Sequence, residues 1–212
     1  MSSERVVAPP PQARGRARFE ALLAAAADLI AEHGVDGVAF SQIARRTGTA
    51  QGSLYQFFPA KDALVATLHA RLADDLVAVV ARCHATIRDA PAPRTPKTMI
   101  DVLVPALAAF YAANPAYREI RLALPRSAAV LDTEDRADAT IAAHLREMLH
   151  ATGAPIAEGR LASVVSALIE VGDALLPWAG ADEVRLSEVK ILLLAYLTAA
   201  PDEAVPPPGP AG

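Results

Sequence analysis

The stretch Phe40-Ser-Gln-Ile-Ala-Arg-Arg-Thr-Gly-Thr-Ala-Gln-Gly-Ser-Leu-Tyr-Gln-Phe-Phe-Pro-Ala-Lys-Asp62 reads as two short helices joined by a tight turn. Ile43 and Ala44 are the inward positions of the first helix, and Ala44 is small enough for the second to cross close above it. Gly48 falls where the turn needs a positive φ, which glycine adopts without a Cβ penalty. Leu54 and Phe58 lie one turn apart and share an apolar face of the second helix. Pro59 then ends that helix, because proline disfavours the helical conformation of the residue before it. Two short helices around a glycine-containing turn make a helix-turn-helix, whose second helix can lie in the DNA major groove.

Gln51, Gly52, Ser53, Tyr55, Gln56 and Phe57 are left pointing outward on the second helix, and none is charged. No acid therefore repels the phosphate backbone. A glutamine amide can pair bidentately with adenine, serine can bond either base edge, and an aromatic ring can rest on a thymine methyl. Ser41, Gln42 and Arg45 on the first helix, and Lys61 beyond the second, complete the expected DNA-facing set. A plain helical hairpin with a solvated face would have no use for an exposed Tyr55-Gln56-Phe57 triplet.

At these residues the sequence resembles the TetR family of transcriptional regulators. The resemblance runs from Arg18 to Leu64, with Ile43-Ala44, Gly48 and Leu54-Tyr-Gln-Phe-Phe-Pro-Ala-Lys-Asp-Ala-Leu64 at its core. Two departures stand out. The family usually caps the first helix of the pair with Thr or Ser, whereas Val38-Ala39-Phe40 leaves Ser41 as the only nearby hydroxyl. The position of Phe57 is often histidine in the family, so one polar DNA contact is expected to be apolar here.

The 212-residue chain is 53% hydrophobic but only 5% aromatic, so its core falls to Ala, Leu and Val. A single cysteine, Cys83, allows no internal disulfide and fits a reducing, cytoplasmic setting. No apolar run at the N-terminus suits a signal sequence. Glu170, Asp173 and Lys190 interrupt the longest apolar stretches, so no membrane span is expected. The net charge of −4 divides unevenly: residues 1–70 hold seven Lys/Arg against six acids, the remainder thirteen against eighteen. A weakly basic head on an acidic body is the asymmetry expected if only the head meets phosphate.

Residues 1–13, with Pro9-Pro10-Pro11, read as a flexible tail. Arg14, Arg16 and Arg18 follow and suit either a phosphate-tracking arm or a solvated helix start. A first helix over about 16–33 buries Phe19, Leu22, Leu23, Ala26, Leu29 and Ile30 and ends at Gly34. A long helix from Lys61 to about Ile87 carries Leu64, Leu68, Leu72, Leu76, Val79 and Val80 on one face. Lys61 at its start is placed to reach a phosphate. By the resemblance, this helix joins the DNA reader to a regulatory domain. His69, Asp74, Asp75 and His84 lack a familiar metal-ligand spacing, and a solvated face is expected instead.

After the proline-rich loop at 88–96, helices are expected near 97–113, 115–124, 132–152, 156–178 and 183–199, and a disordered tail at 201–212. Breaks fall at Asn114-Pro115, Pro125, Gly153 and Gly180. The last two helices are apolar nearly all round and so must be covered nearly all round. TetR-like proteins dimerise through this pair, which implies an interface of Leu161, Val165, Leu168, Ile169, Val189, Leu193, Tyr196 and Leu197. A helix pair central to its own monomer is the other reading. The family also binds a small effector inside its C-terminal helices. Val102, Ala106, Phe110, Ile141, His144, Met148, Leu168, Val171, Asp173, Leu175 and Trp178 are the expected lining, largely aliphatic, for an apolar effector. Asp173 is either an effector contact or the partner of Arg118 or Arg121.

No Gly-rich phosphate loop, Gly-x-Ser-x-Gly or metal-spaced histidine pair is present, so neither an enzyme nor a cofactor is expected. The expectation is an all-α chain. A helix-turn-helix DNA-binding domain spans 14–60, and a helical ligand-binding and dimerisation domain spans 61–200. Its partners would be an operator duplex, a second copy of the chain and a small effector. An all-helical protein–protein adaptor is the alternative.

Overall fold

Apolar residues at three- and four-residue spacing wind the chain into helices, and the first of them holds the reader from behind. Helix α1 (Ala13–His33) buries Phe19, Leu22, Leu23, Ala26, Leu29 and Ile30. Two short helices, α2 (Phe40–Thr47) and α3 (Gln51–Phe57), pack across it. The computed structural model describes residues 6–91, 93–123 and 128–199, and among these every regular element is helical. The expected tail at 201–212, the break at Pro125 and residues 1–5 of the expected N-terminal tail lie outside the described residues. Val7 is tied down: its amide donates to Thr67 Oγ1 at 2.8 Å and its side chain packs on the core.

Helix α4 (Lys61–Asp89) is the spine. Ala63 to His69 are buried without interruption, because the reader covers one side of α4 while the C-terminal bundle covers the other. Helix α5 (Pro96–Ala113) starts on a Thr95 cap, whose Oγ1 accepts from the Thr98 amide at 3.2 Å, with proline in the first turn. The short α6 (Pro115–Ala123) packs on α1, α4 and α5. Helix α7 (Ala128–Ala151) begins four residues before the expected 132 and makes the most extensive packing in the molecule, against α4. Helices α8 (Glu158–Ala179) and α9 (Glu183–Thr198) close the bundle, with Asp182 capping α9 through the amides of Val184 and Arg185.

One expectation, and the reason given for another, require correction here. Helices α5 and α8 do reach the length and mean hydropathy of a membrane span. Both are packed among other helices of this bundle, and each carries ion-paired acids, Asp101 on α5 and Asp173 on α8. The proposed interface residues Leu161, Val165, Leu168, Val189, Leu193 and Leu197 are buried in their own monomer, and Ile169 is half-buried. On α9 they are the inward stripe, four residues apart. The apolar residues left uncovered are Val184, Ile191, Leu192 and Tyr196, with Trp178 on α8, so only Tyr196 of the expected set faces out. Apolarity all round identified the helix but could not say which stripe its own bundle would take.

Candidate nucleic-acid interface and effector cavity

The reader is assembled from capping, turn and aromatic packing. Gly48 adopts φ 62° and ψ 25°, the left-handed conformation the turn requires. The buried Thr49 then returns its amide to the Ala44 carbonyl at 2.9 Å. Ser41 does not cap α2. Gln42 does, its Oε1 accepting from the Ala39 amide at 2.6 Å, since a side chain three residues in can reach back to the first turn. Arg46 ties α2 to α1 through Asp28 at 3.5 Å and Glu32 at 3.0 Å, while the neighbouring Arg45 is exposed. Phe58, fully buried and extended before Pro59, stacks on Phe19 at 5.0 Å.

On α3, Gln51, Gly52, Tyr55 and Gln56 are exposed, and Ser53 is half-buried. Tyr55 is 52% exposed and leans on Phe40 at 5.1 Å. Phe57 departs from the expectation. It is half-buried, with its ring 6.4 Å from Phe19, because three residues beyond Leu54 it borders the buried stripe. A cleft brings Ser41, Gln51, Tyr55 and Lys61 together from three helices. Lys61 Nζ donates to the Val35 carbonyl at 3.2 Å, which fixes the head of α4 against the α1–α2 loop.

In the C-terminal bundle, α4 to α9 enclose an aliphatic cavity of about 70 Å³. Leu103, Leu107, Ile141, Leu168 and Gly172 are among its walls, and Tyr111, Arg121, Asp138 and Asp173 are its polar residues. The Tyr111 hydroxyl and the Arg121 guanidinium each donate to a different oxygen of Asp173. Arg118 instead lies 3.5 Å from Glu119. Burial first, and the Asp173 charge second, raise the Tyr111 hydroxyl; burial pushes Tyr117 up to about 12, so both phenols keep their protons. Tyr111, Arg121 and Asp173 also line an outer groove with Tyr117, Arg118 and Glu170, so this cluster separates cavity from surface.

Of the expected lining, Ile141, Leu168 and Asp173 face the cavity. Val102, Ala106 and Phe110 line a groove between α4 and α5 instead. Each sits one residue, about 100° of helix, from the cavity stripe of Leu103, Leu107 and Tyr111. His144 Nδ1 lies 3.0 Å from His84 Nδ1, Met148 is core, and Val171 and Leu175 are half-buried elsewhere. Trp178 is on the surface under the Arg185 guanidinium, 5.0 Å from its ring centre. Sequence reasoning missed Tyr111 and Gly172 as cavity residues; the four-residue repeat Met99, Leu103, Leu107, Tyr111 was the available signal.

His69 is not on a solvated face. It is buried and stacks on Tyr117 at 5.9 Å, and burial with the Arg121 charge lowers its pKa to about 4. Cys83 is buried, and burial raises its thiol. Among the described residues, no three of His, Cys, Asp and Glu converge as a metal site.

Residues 22–68 match the family model for bacterial regulatory proteins of the tetR family, and residues 95–197 match that for the tetracyclin repressor-like C-terminal domain. The uncharacterized HTH-type transcriptional regulator YvdT of Bacillus subtilis (strain 168) is 41% identical over 56 residues; the match spans 26% of this chain and 28% of that protein. The fold is similar to a TetR-family regulator from Streptomyces coelicolor (19% identity, TM-score 0.67, 85% of this chain and 80% of that one). It is also similar to a TetR regulator from Haloarcula marismortui ATCC 43049 (19%, 0.66, 87% and 98%). FadR of Bacillus subtilis, solved in complex with stearoyl-CoA, is a further neighbour (16%, 0.65, 85% and 98%). With a helix-turn-helix at one end, a helical ligand-binding domain at the other and both family models matched, the chain belongs to the TetR family of DNA-binding transcriptional regulators and is not an enzyme.

Proposed function

We propose that the protein is a homodimeric repressor that holds a roughly palindromic operator through α3 and releases it when a small apolar effector fills the bundle. The observation that carries this reading is the exposed, uncharged face of Gln51, Gly52, Tyr55 and Gln56, edged by Ser41, Arg45 and Lys61. Glutamine and tyrosine supply base-edge contacts, while the cations hold phosphates. Gly52 supports it further. A Cβ built there meets nothing within 4 Å, so the glycine weakens a short helix without any packing need and leaves room for a close partner.

Dimerisation through Trp178, Val184, Ile191, Leu192 and Tyr196 would cover the apolar face that the bundle leaves open and set two reading helices about one DNA turn, or a multiple, apart. The route from effector to reader runs through α6. Arg121 of α6 contributes to the cavity wall, Tyr117 of α6 stacks on His69 of α4, and α6 packs on α1 behind the reader. An effector that contacts the Asp173 cluster therefore bears on a helix packed against both α1 and α4. A ligand in complex with FadR, a neighbour of the same fold, is consistent with such a signal. The protein would act in the cytoplasm, beside its operator.

Operator selection from random duplexes, followed by gel shift, tests the reading. Tyr55→Ala weakens binding, Gln51→Ala relaxes base preference, and Lys61→Ala weakens all sequences alike while reducing the salt slope by about one. Variants that bind the selected duplex as wild type does would remove the assigned face. A selection that returns no duplex would favour a protein–protein adaptor.

A further inference from the structure

The cavity wall also constrains what can enter it. Lining positions Met99, Leu103, Leu107 and Tyr111 of α5 follow one stripe about 18 Å long at 1.5 Å per residue. A volume of about 70 Å³ against that stripe seats only a small ligand. It has room for about five waters, and so for an unbranched chain of about six carbons with its head group.

The polar end limits the head. Both oxygens of Asp173 are already engaged, one by Tyr111 and one by Arg121. A carboxylate ligand would meet Asp138 and Asp173 in the same wall, and an ammonium ligand would have to compete with Arg121 for its partner. A hydroxyl can donate to a remaining lone pair of the Asp173 carboxylate without breaking either bond.

Gly172 is an independent pointer. It lies in the interior of α8 and lines the cavity, and a Cβ built there would meet only Leu176 Cδ1, at an ordinary 3.7 Å. Neither crowding nor a positive φ calls for glycine at this position. A glycine inside a helix is destabilising relative to alanine, and what its missing side chain leaves here is open cavity.

We propose that the effector is a short unbranched aliphatic alcohol, its chain lying in the cavity beside Gly172 and its hydroxyl on Asp173. The proposal rests on the effector-responsive reading above, and binding and operator release are therefore measured separately. Calorimetry on the full chain with 1-butanol through 1-decanol should show affinity rising about fourfold per methylene, then levelling near six to eight carbons. Octanoate and octylammonium should bind at least tenfold more weakly than 1-octanol. Gly172→Ala should raise the melting temperature and shift the length optimum downward, whereas Gly172→Leu should stay folded and lose 1-octanol binding at least tenfold. Stronger binding of either charged analogue, affinity independent of chain length, or a folded Gly172→Leu that binds as wild type would overturn the assignment. Binding with the expected profile but no change in operator affinity by gel shift would support the cavity assignment and overturn the effector-responsive reading.

Discussion

The reader and the regulatory bundle are both helical, but their centres are built differently. In the reader, aromatic rings fill the middle: Phe58 stacks on Phe19, and Phe57 closes the edge. In the bundle, Leu, Ile, Val and Met line a cavity of about 70 Å³, and the rings of Phe110, Tyr111 and Tyr117 cluster beside it. Large rigid rings hold one geometry, as a surface matched to base edges requires. Aliphatic side chains around a void leave room for a ligand to be seated. Each region carries a glycine that packing within the chain does not require, Gly52 on the exposed face of α3 and Gly172 at the cavity.

The contrast can be broken by removing one side chain from each centre, ordered here by effect on the folded chain. Phe58→Ala should cost about 4 kcal/mol and abolish operator binding, whereas Leu107→Ala, half-buried beside an existing void, should cost about 2 kcal/mol. Urea denaturation that returned equal costs would mean that the two centres are equally tolerant.

The junction between the regions should be sensitive to pH. His69 is buried with a pKa of about 4, against an ordinary 6.5. The unfolded chain thus binds the proton first as pH falls. Stability from this group is complete above pH 6.5 and is lost progressively down to about pH 4, amounting to about 3 kcal/mol at most. Melting temperature across that window should fall more steeply in wild type than in His69→Phe.

Gly52→Ala sharpens the comparison on the reader side. It should stabilise the fold by up to about 1 kcal/mol while weakening operator binding, a pair of opposite signs that melting and gel shift on one sample would reveal. A gain in both would mean that nothing approaches α3 at that point. Smallest for the fold is Ile191→Asp, expected within about 0.5 kcal/mol for the isolated chain because Ile191 is 58% exposed. Light scattering should nonetheless show it monomeric where wild type is dimeric. A dimer that survives this change would place the interface on another face.

The reader was legible because its signals are local: Gly48 requires a turn, Pro59 requires a stop, and Leu54 with Phe58 requires a buried face, all within about twenty residues. Its one misplaced side chain, Phe57, lies at the border of that face, where spacing is ambiguous. Among the described residues, the bundle helices and the breaks at Asn114-Pro115, Gly153 and Gly180 were legible for the same reason. What sequence alone could not supply was phase. On α5 the stripe of Leu103, Leu107 and Tyr111 and the stripe of Val102, Ala106 and Phe110 are both largely apolar and one residue apart. Only the packing of α4, α7 and α8 around α5 turned the first toward the cavity. On α9, likewise, the bundle took Val189, Leu193 and Leu197 inward and left Ile191, Leu192 and Tyr196 in the open. The amino-acid sequence thus determined the helices, the turn and the exposed polar face of α3 through local conformational preference. Tertiary structure decided which apolar stripe became core, cavity or uncovered surface, because hydrophobic burial is non-directional and needs neighbours to give it a direction.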